Sequence, residues 1–289
     1  MLNRIFASKN KPCFAQDSLW DTLHFDLSGN RLTISLPPHD WEFPEERGPG
    51  TINVFDSKLY DYADKPDRNG FDAHFQGSAR SPIWSRRWFT YGSAIRSRPL
   101  GTLSCNALIL DTARMAGGVN CFYPEHMEQL ALHSLYYSCG PGASNNEHDC
   151  PKNWKVINQN GTQWLYAEGW PRQAEWEQEP RTHIDSLFFA TLYTPLFNDK
   201  FLLVSFYAIG SLPSSPSNEL MLNRITKIVG SLELIRPSST ESPELGSSTQ
   251  SYSQTREPES WKYYTSYQWT EDGIEFNGPC SPPPKIITD

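Results

Sequence analysis

The segment from Trp154 to Tyr166 has little local freedom. Trp154-Lys155-Val156-Ile157 and Gln163-Trp164-Leu165-Tyr166 are short runs of aromatic and branched residues with Asn160-Gly161 between them. Such side chains suit a pleated surface. Asn-Gly is the pair that best accepts positive φ at both centres of a two-residue hairpin turn. An antiparallel hairpin is therefore predicted. Asn160-Gly161-Thr162 also spells a glycosylation acceptor, but the turn accounts for these residues fully.

The same pattern recurs. Leu23–Leu27 and Arg31–Leu36 flank Ser28-Gly29-Asn30, and Leu32, Ile34 and Leu36 alternate onto one face. Pro37-Pro38 ends that hairpin, and Trp41 and Phe43 follow. Residues 1–20 carry no clear period, and residues 44–82 are turn-rich around a short apolar run at Ile52–Phe55. Further strands are predicted at Ile83–Ile95, Leu103–Leu110, 184–194, 200–209 and Ser231–Ile235. Helical spacing appears twice. Pro124–Ser138 repeats Met127, Leu130, Ala131 and Leu135, with proline in its first turn. Ser217 to about Val229 repeats Leu220, Met221, Ile225 and Ile228, with Ser217 as its cap. These elements predict an α+β fold, a central antiparallel sheet with helices packed on it, followed by a C-terminal linker and β-hairpin. No internal repeat indicates a solenoid.

Composition divides the chain into a globular domain at 1–235, a linker at 236–260 and an aromatic tail at 261–289. The linker is rich in Ser, Pro, Thr and Glu and nearly free of aliphatic residues. In the tail, Trp261, Tyr263, Tyr267 and Trp269 share one strand phase, and Glu271-Asp272-Gly273 turns the chain into Ile274-Glu275-Phe276. An aromatic face of that size does not stay in water by itself. It is expected to dock on the main domain or on a partner: a cut after Arg236 that abolishes binding and leaves melting nearly unchanged marks a partner surface, whereas collapse of the fold shows that the tail completes the core.

The net charge of −8 disfavours general nucleic-acid binding. No apolar run is long enough for a membrane-spanning helix. Met1–Lys11 lacks the apolar core of a secretory signal, so a cytoplasmic protein is expected. The six cysteines, Cys13, Cys105, Cys121, Cys139, Cys150 and Cys280, are spread along a long chain and are expected to be reduced and mostly buried.

No nucleophile elbow, phosphate loop, zinc-protease motif, paired Cys-x-x-Cys or dinucleotide fingerprint occurs. Neither a catalytic residue, a cofactor nor a metal site is predicted. Cys139, His148, Asp149 and Cys150 have the donor types of a zinc site, but no second ligand pair of normal spacing accompanies them, and unrelated loop residues or one local disulfide are the simpler accounts. Cys121 or Cys139 beside His126 or His133 would make a thiol hydrolase site, the alternative being histidines half-buried on an amphipathic helix. The segment Arg80–Arg98 holds Arg80, Arg86, Arg87, Arg96 and Arg98 among Trp84, Trp88, Phe89 and Tyr91, with no acidic residue. Guanidinium groups beside rings bind carboxylates, phosphates or acidic surfaces; pairing with Glu175, Glu177 and Glu179 is the structural alternative.

Two stretches resemble the Mog1/PsbP-like fold, including its bacterial DcrB-type branch. The first is Leu32-Thr33-Ile34-Ser35-Leu36-Pro37-Pro38-His39-Asp40-Trp41. The second runs from Tyr193-Thr194-Pro195 through Phe206 and continues in the helix and strand Ile225–Leu234. The resemblance covers about a quarter of the chain. It implies a central antiparallel sheet with helices packed on it. It also implies binding to other proteins, as GTPase regulators, photosystem subunits and effector chaperones do, and it carries over no catalytic residue. The combined expectation is a non-enzymatic protein-binding module such as a bacterial adaptor, effector chaperone or immunity protein. Its expected contact residues are Arg80, Trp84, Arg86, Arg87, Trp88, Trp261, Tyr263, Tyr267 and Trp269. The alternatives are a Cys/His hydrolase and a carbohydrate-binding protein with exposed, coplanar tryptophans.

Overall fold

A computed structural model describes residues 7–8, 11–14, 19–40, 45–62, 79–92, 99–115, 118–141, 148–171, 185–210, 215–237, 251–263, 266–270 and 273–287. Its content corrects the α+β expectation. Among the described residues strands account for 50% and helices for 17%, and only two α-helices occur, so the protein is mostly β. Both helical periodicities are realised, as α1 (Pro124–Cys139) and α2 (Ser215–Gly230), the latter starting before the expected Ser217 cap. The sheets are larger than expected because the strand-forming runs extend beyond their clear alternation.

Fifteen strands are present among the described residues: β1 (Cys13–Phe14), β2 (Asp21–Leu27), β3 (Asn30–Leu36), β4 (Glu46–Arg47), β5 (Thr51–Ile52), β6 (Asp61–Tyr62), β7 (Ala79–Tyr91), β8 (Pro99–Asp111), β9 (His148–Gln159), β10 (Thr162–Pro171), β11 (Asp185–Phe197), β12 (Lys200–Gly210), β13 (Glu233–Ile235), β14 (Ser266–Thr270) and β15 (Gly273–Asn277). The main sheet runs β1-β7-β8-β12-β11-β10-β9, and β4 and β6 also pair with β7. All its pairings are antiparallel. A smaller sheet runs β13-β3-β2-β5, and β14-β15 is a separate two-stranded ribbon.

Strand alternation divides the main sheet between two cores. On β12, Leu202, Val204, Phe206 and Ala208 join Trp84, Trp88 and Cys105 under β2, β3 and α2. Phe201 and Leu203 join Tyr193, Leu165 and Ala167 under α1. The smaller sheet therefore covers much of the face on which helices were expected. Burial of each large side chain contributes about 1.5–3 kcal/mol, and a central strand covered on both faces reads as a nearly unbroken apolar run.

The predicted turns have the required backbone. Asn160 and Gly161 have φ of 49° and 80°, and Ser28 and Gly29 have 53° and 92°. Gly169 has a different role. It pairs across strands with Phe189, and that ring fills the space a side chain would need, so an added Cβ would lie 1.9 Å from the ring. Among the described residues no helix is long and apolar enough to cross a membrane.

Candidate protein-binding surface

The arginine-aromatic segment forms β7, and its register sorts the predicted contact residues into two groups. A register shift between Pro82 and Trp84 leaves Trp84, Arg86 and Trp88 inside and Arg80 and Arg87 exposed. Trp84 stacks on Phe25 at 5.3 Å, and the Trp88 indole donates to the Pro38 carbonyl at 2.9 Å. Arg86 is 2% exposed. Its Nε donates to Glu45 at 2.6 Å and its Nη2 to Asp21 at 3.3 Å. Its Nη1 donates to the carbonyls of Leu36 and Pro37 at 3.3 and 2.8 Å. The guanidinium thus joins the start of β2 and the end of β3 to the main sheet. Glu45 and Asp21 are its acidic partners, whereas Glu175, Glu177, Glu179, Arg96 and Arg98 lie outside the described residues.

The thiols and imidazoles do not assemble into a nucleophilic pair in the contacts the structure shows for them. Cys121 lies 3.8 Å from the Thr112 hydroxyl, and burial pushes its thiol up to about 12. Such a thiol is a poor nucleophile near neutral pH. His126 Nδ1 accepts the Asn120 N–H at 3.1 Å, and its ring meets Tyr123 edge-on. His133 meets the Tyr137 ring edge-on at 5.1 Å. Cys139 and Cys150 are both free and buried; the Cys139 thiol donates to the Leu135 carbonyl at 3.2 Å, and burial raises it well above its ordinary value. Asp149 pairs instead with Lys152 at 3.9 Å. Among the described residues no group of three or more His, Cys, Asp and Glu side chains is arranged to hold a metal.

Tryptophan exposure also bears on the carbohydrate alternative. Trp84, Trp88, Trp154, Trp164 and Trp261 are buried, and Trp20 and Trp170 are half-buried. Trp170 stacks at 4.8 Å on Phe188, which is itself inside the core.

The main feature that sequence reasoning missed is a strap. Residues 251–263, most of which composition assigns to the linker, run over α1 and β9. Glu128 organises the first half. Its carboxylate accepts the Ser253 N–H at 2.5 Å and the Ser253 hydroxyl at 3.0 Å, and Arg256 reaches it at 3.4 Å. The Trp154 indole donates to the Ser253 carbonyl at 2.8 Å. Further along, the Glu259 N–H donates to the Cys150 carbonyl at 2.8 Å. Trp261 meets Tyr136 edge-on at 5.3 Å. The Tyr263 hydroxyl donates to the Cys139 carbonyl at 2.7 Å and accepts the His148 N–H at 3.2 Å. One sequence signal pointed here: Glu128 interrupts the apolar stripe of α1 and is 8% exposed, a position that requires a partner.

The strap leads into β14–β15, and the returning chain is held beside it. Lys262 and Ser281 exchange bonds at 2.8 and 2.9 Å. The Tyr136 hydroxyl donates to the Ser281 carbonyl at 2.6 Å, and the Gln129 side chain pairs with the Ile287 backbone. The ribbon sets Tyr267 opposite Phe276 and Trp269 opposite Ile274. It begins at Ser266, so Trp261 and Tyr263 belong to its anchored flank rather than to a common strand with Tyr267 and Trp269. Comparison with known protein families, curated proteins and solved structures finds no match for the chain.

Proposed function

We propose that this chain is a non-enzymatic protein-binding module whose C-terminal ribbon is its partner-contacting element. One observation carries the reading: β14–β15 joins neither larger sheet, yet both its flanks are fixed to α1. A two-stranded ribbon is marginal in water by itself, and one with aromatic residues in facing register gains most from a surface that covers it. A partner strand or apolar groove is the complementary chemistry. The resemblance to the Mog1/PsbP-like group points the same way, since its members bind other proteins.

Cutting after Arg236 is a poor test, because it also removes Tyr252 and Trp261 from the second core. The better variant replaces residues 264–279 with a short Gly-Ser turn and keeps both flanks. Capture from native-cell extract with the full chain and this variant, followed by direct titration of the captured protein, provides the test. The reading expects affinity to fall at least about a hundredfold with melting nearly unchanged. A partner bound equally by both chains would overturn it.

A further inference from the structure

We infer that Trp170, Glu168 and Tyr166 on β10 form a proton-coupled electron relay. A one-electron oxidant takes an electron from Trp170 at the surface, and the hole settles on Tyr166 as a neutral radical. This activity is separate from what the ribbon binds. Three observations carry it. Both ring protons point at one carboxylate: the Tyr166 hydroxyl donates to Glu168 Oε1 at 2.5 Å, and the Trp170 indole donates to Oε2 at 2.6 Å. The strands are shaped to bring this about. Register shifts lie on either side of Glu168, and Asn153 of β9, in the left-handed region at φ 53°, donates to Oε2 at 2.7 Å. Such irregularities re-aim side chains that a regular strand would hold apart. The third observation is the layering. Tyr166 and Glu168 are each 5% exposed, whereas Trp170 is half-buried and open to contact from solvent.

Removing an electron from a phenol or an indole turns its O–H or N–H into a strong acid. A buried ring keeps the hole only where a base takes that proton, because an unpaired buried charge is costly. Here the base is already hydrogen-bonded to both rings. The Lys155 ammonium lies 4.7 Å from the Tyr166 ring centroid and the Lys152 ammonium 5.9 Å from that of Trp170. A ring that lost its electron and kept its proton would be repelled by that charge. In the resting state the phenol holds its proton firmly, since burial, and then the Glu168 charge, push it up; electron loss is what releases it. In the first step Trp170 gives one electron to the oxidant and its Nε1 proton to Glu168. In the second, Tyr166 passes an electron to the Trp170 radical and its hydroxyl proton to Glu168, while Glu168 returns a proton to Nε1. In sum, the Tyr166 phenol, the Glu168 carboxylate and the oxidant become a tyrosyl radical, a carboxylic acid and the oxidant reduced by one electron. One carboxylate spans the two donor atoms, so each proton moves along a hydrogen bond already made.

The experiment uses the full chain with flash-generated ruthenium(III) tris-bipyridine as the oxidant, and reads the radical by transient absorption and electron paramagnetic resonance. The parent gives a long-lived neutral tyrosyl that is lost in Tyr166→Phe. It forms more slowly in Trp170→Phe and in heavy water. Glu168→Gln still accepts a hydrogen bond but takes no proton, and it should lower the tyrosyl yield at least about tenfold. Circular dichroism checks that each variant folds. If Glu168→Gln does not fold, the heavy-water comparison in the parent carries the test. A long-lived tyrosyl that persists in Tyr166→Phe, or none in the parent, overturns the assignment of the hole. Equal yields in the parent and folded Glu168→Gln, or equal rates in light and heavy water, overturn the role of Glu168.

Discussion

Replacing Arg86 by alanine separates a structural arginine from a partner-binding one. Two of its acceptors, the Leu36 and Pro37 carbonyls, lie where β3 leaves the smaller sheet, and without the guanidinium these buried acceptors lose a donor. Asp21, with 56% of its side chain exposed, returns to water at little cost, whereas Glu45, at 23%, does so only in part. The removed stem also leaves a void between Trp84 and Trp88. Breaking a buried, hydrogen-bonded ion pair by removing one partner costs roughly 3–5 kcal/mol. For a chain of this size about 1 kcal/mol corresponds to 2–4 °C, so the melting temperature should fall by roughly 6–20 °C. Thermal unfolding followed by circular dichroism measures it. Arg86→Lys should fall between, because an ammonium keeps the charge but not the four-way fork. The exposed Arg80→Ala and Arg87→Ala should stay within about 0.5 kcal/mol of the parent. An Arg86→Ala protein that melts with the parent would refute this account.

Alkaline pH should destabilise the fold. Burial raises the Cys105 and Cys121 thiols to about 12 from an ordinary 9.0, and Cys139 also moves up. Above pH 9.0 the unfolded chain sheds protons that the folded chain keeps, so stability is lost as pH rises toward about 12. Each thiol contributes at most about 1.4 kcal/mol per pH unit. Tyr166, Tyr193 and Tyr252, also raised by burial, act in the same direction at higher pH. Urea midpoints measured from neutral pH upward test this, with a shallower decline in Cys121→Ala; a flat or rising midpoint contradicts it. Gly169→Ala forces its methyl into the Phe189 ring. It should cost about 1–3 kcal/mol of overpacking, and calorimetry of Gly169→Ala against Gly169→Ala with Phe189→Leu should show partial rescue.

Local chemistry determined much of the outline. Asn160-Gly161 and Ser28-Gly29 adopt the positive φ their turns need, and both helices follow their apolar spacing, because turn strain and a 3.6-residue period are properties of neighbouring residues. Strand length was less legible, since β12 is buried on both faces and such a run carries no alternation to measure. What covers each face was decided only by tertiary structure. That Arg86 points inward depends on a register shift in β7, and that residues 251–263 are a strap depends on Glu128, far away in sequence. A polar segment with a single ring, Tyr252, reads as a linker because composition does not show hydrogen-bond partners. Only the packed chain brings the Glu128 carboxylate to the Ser253 amide.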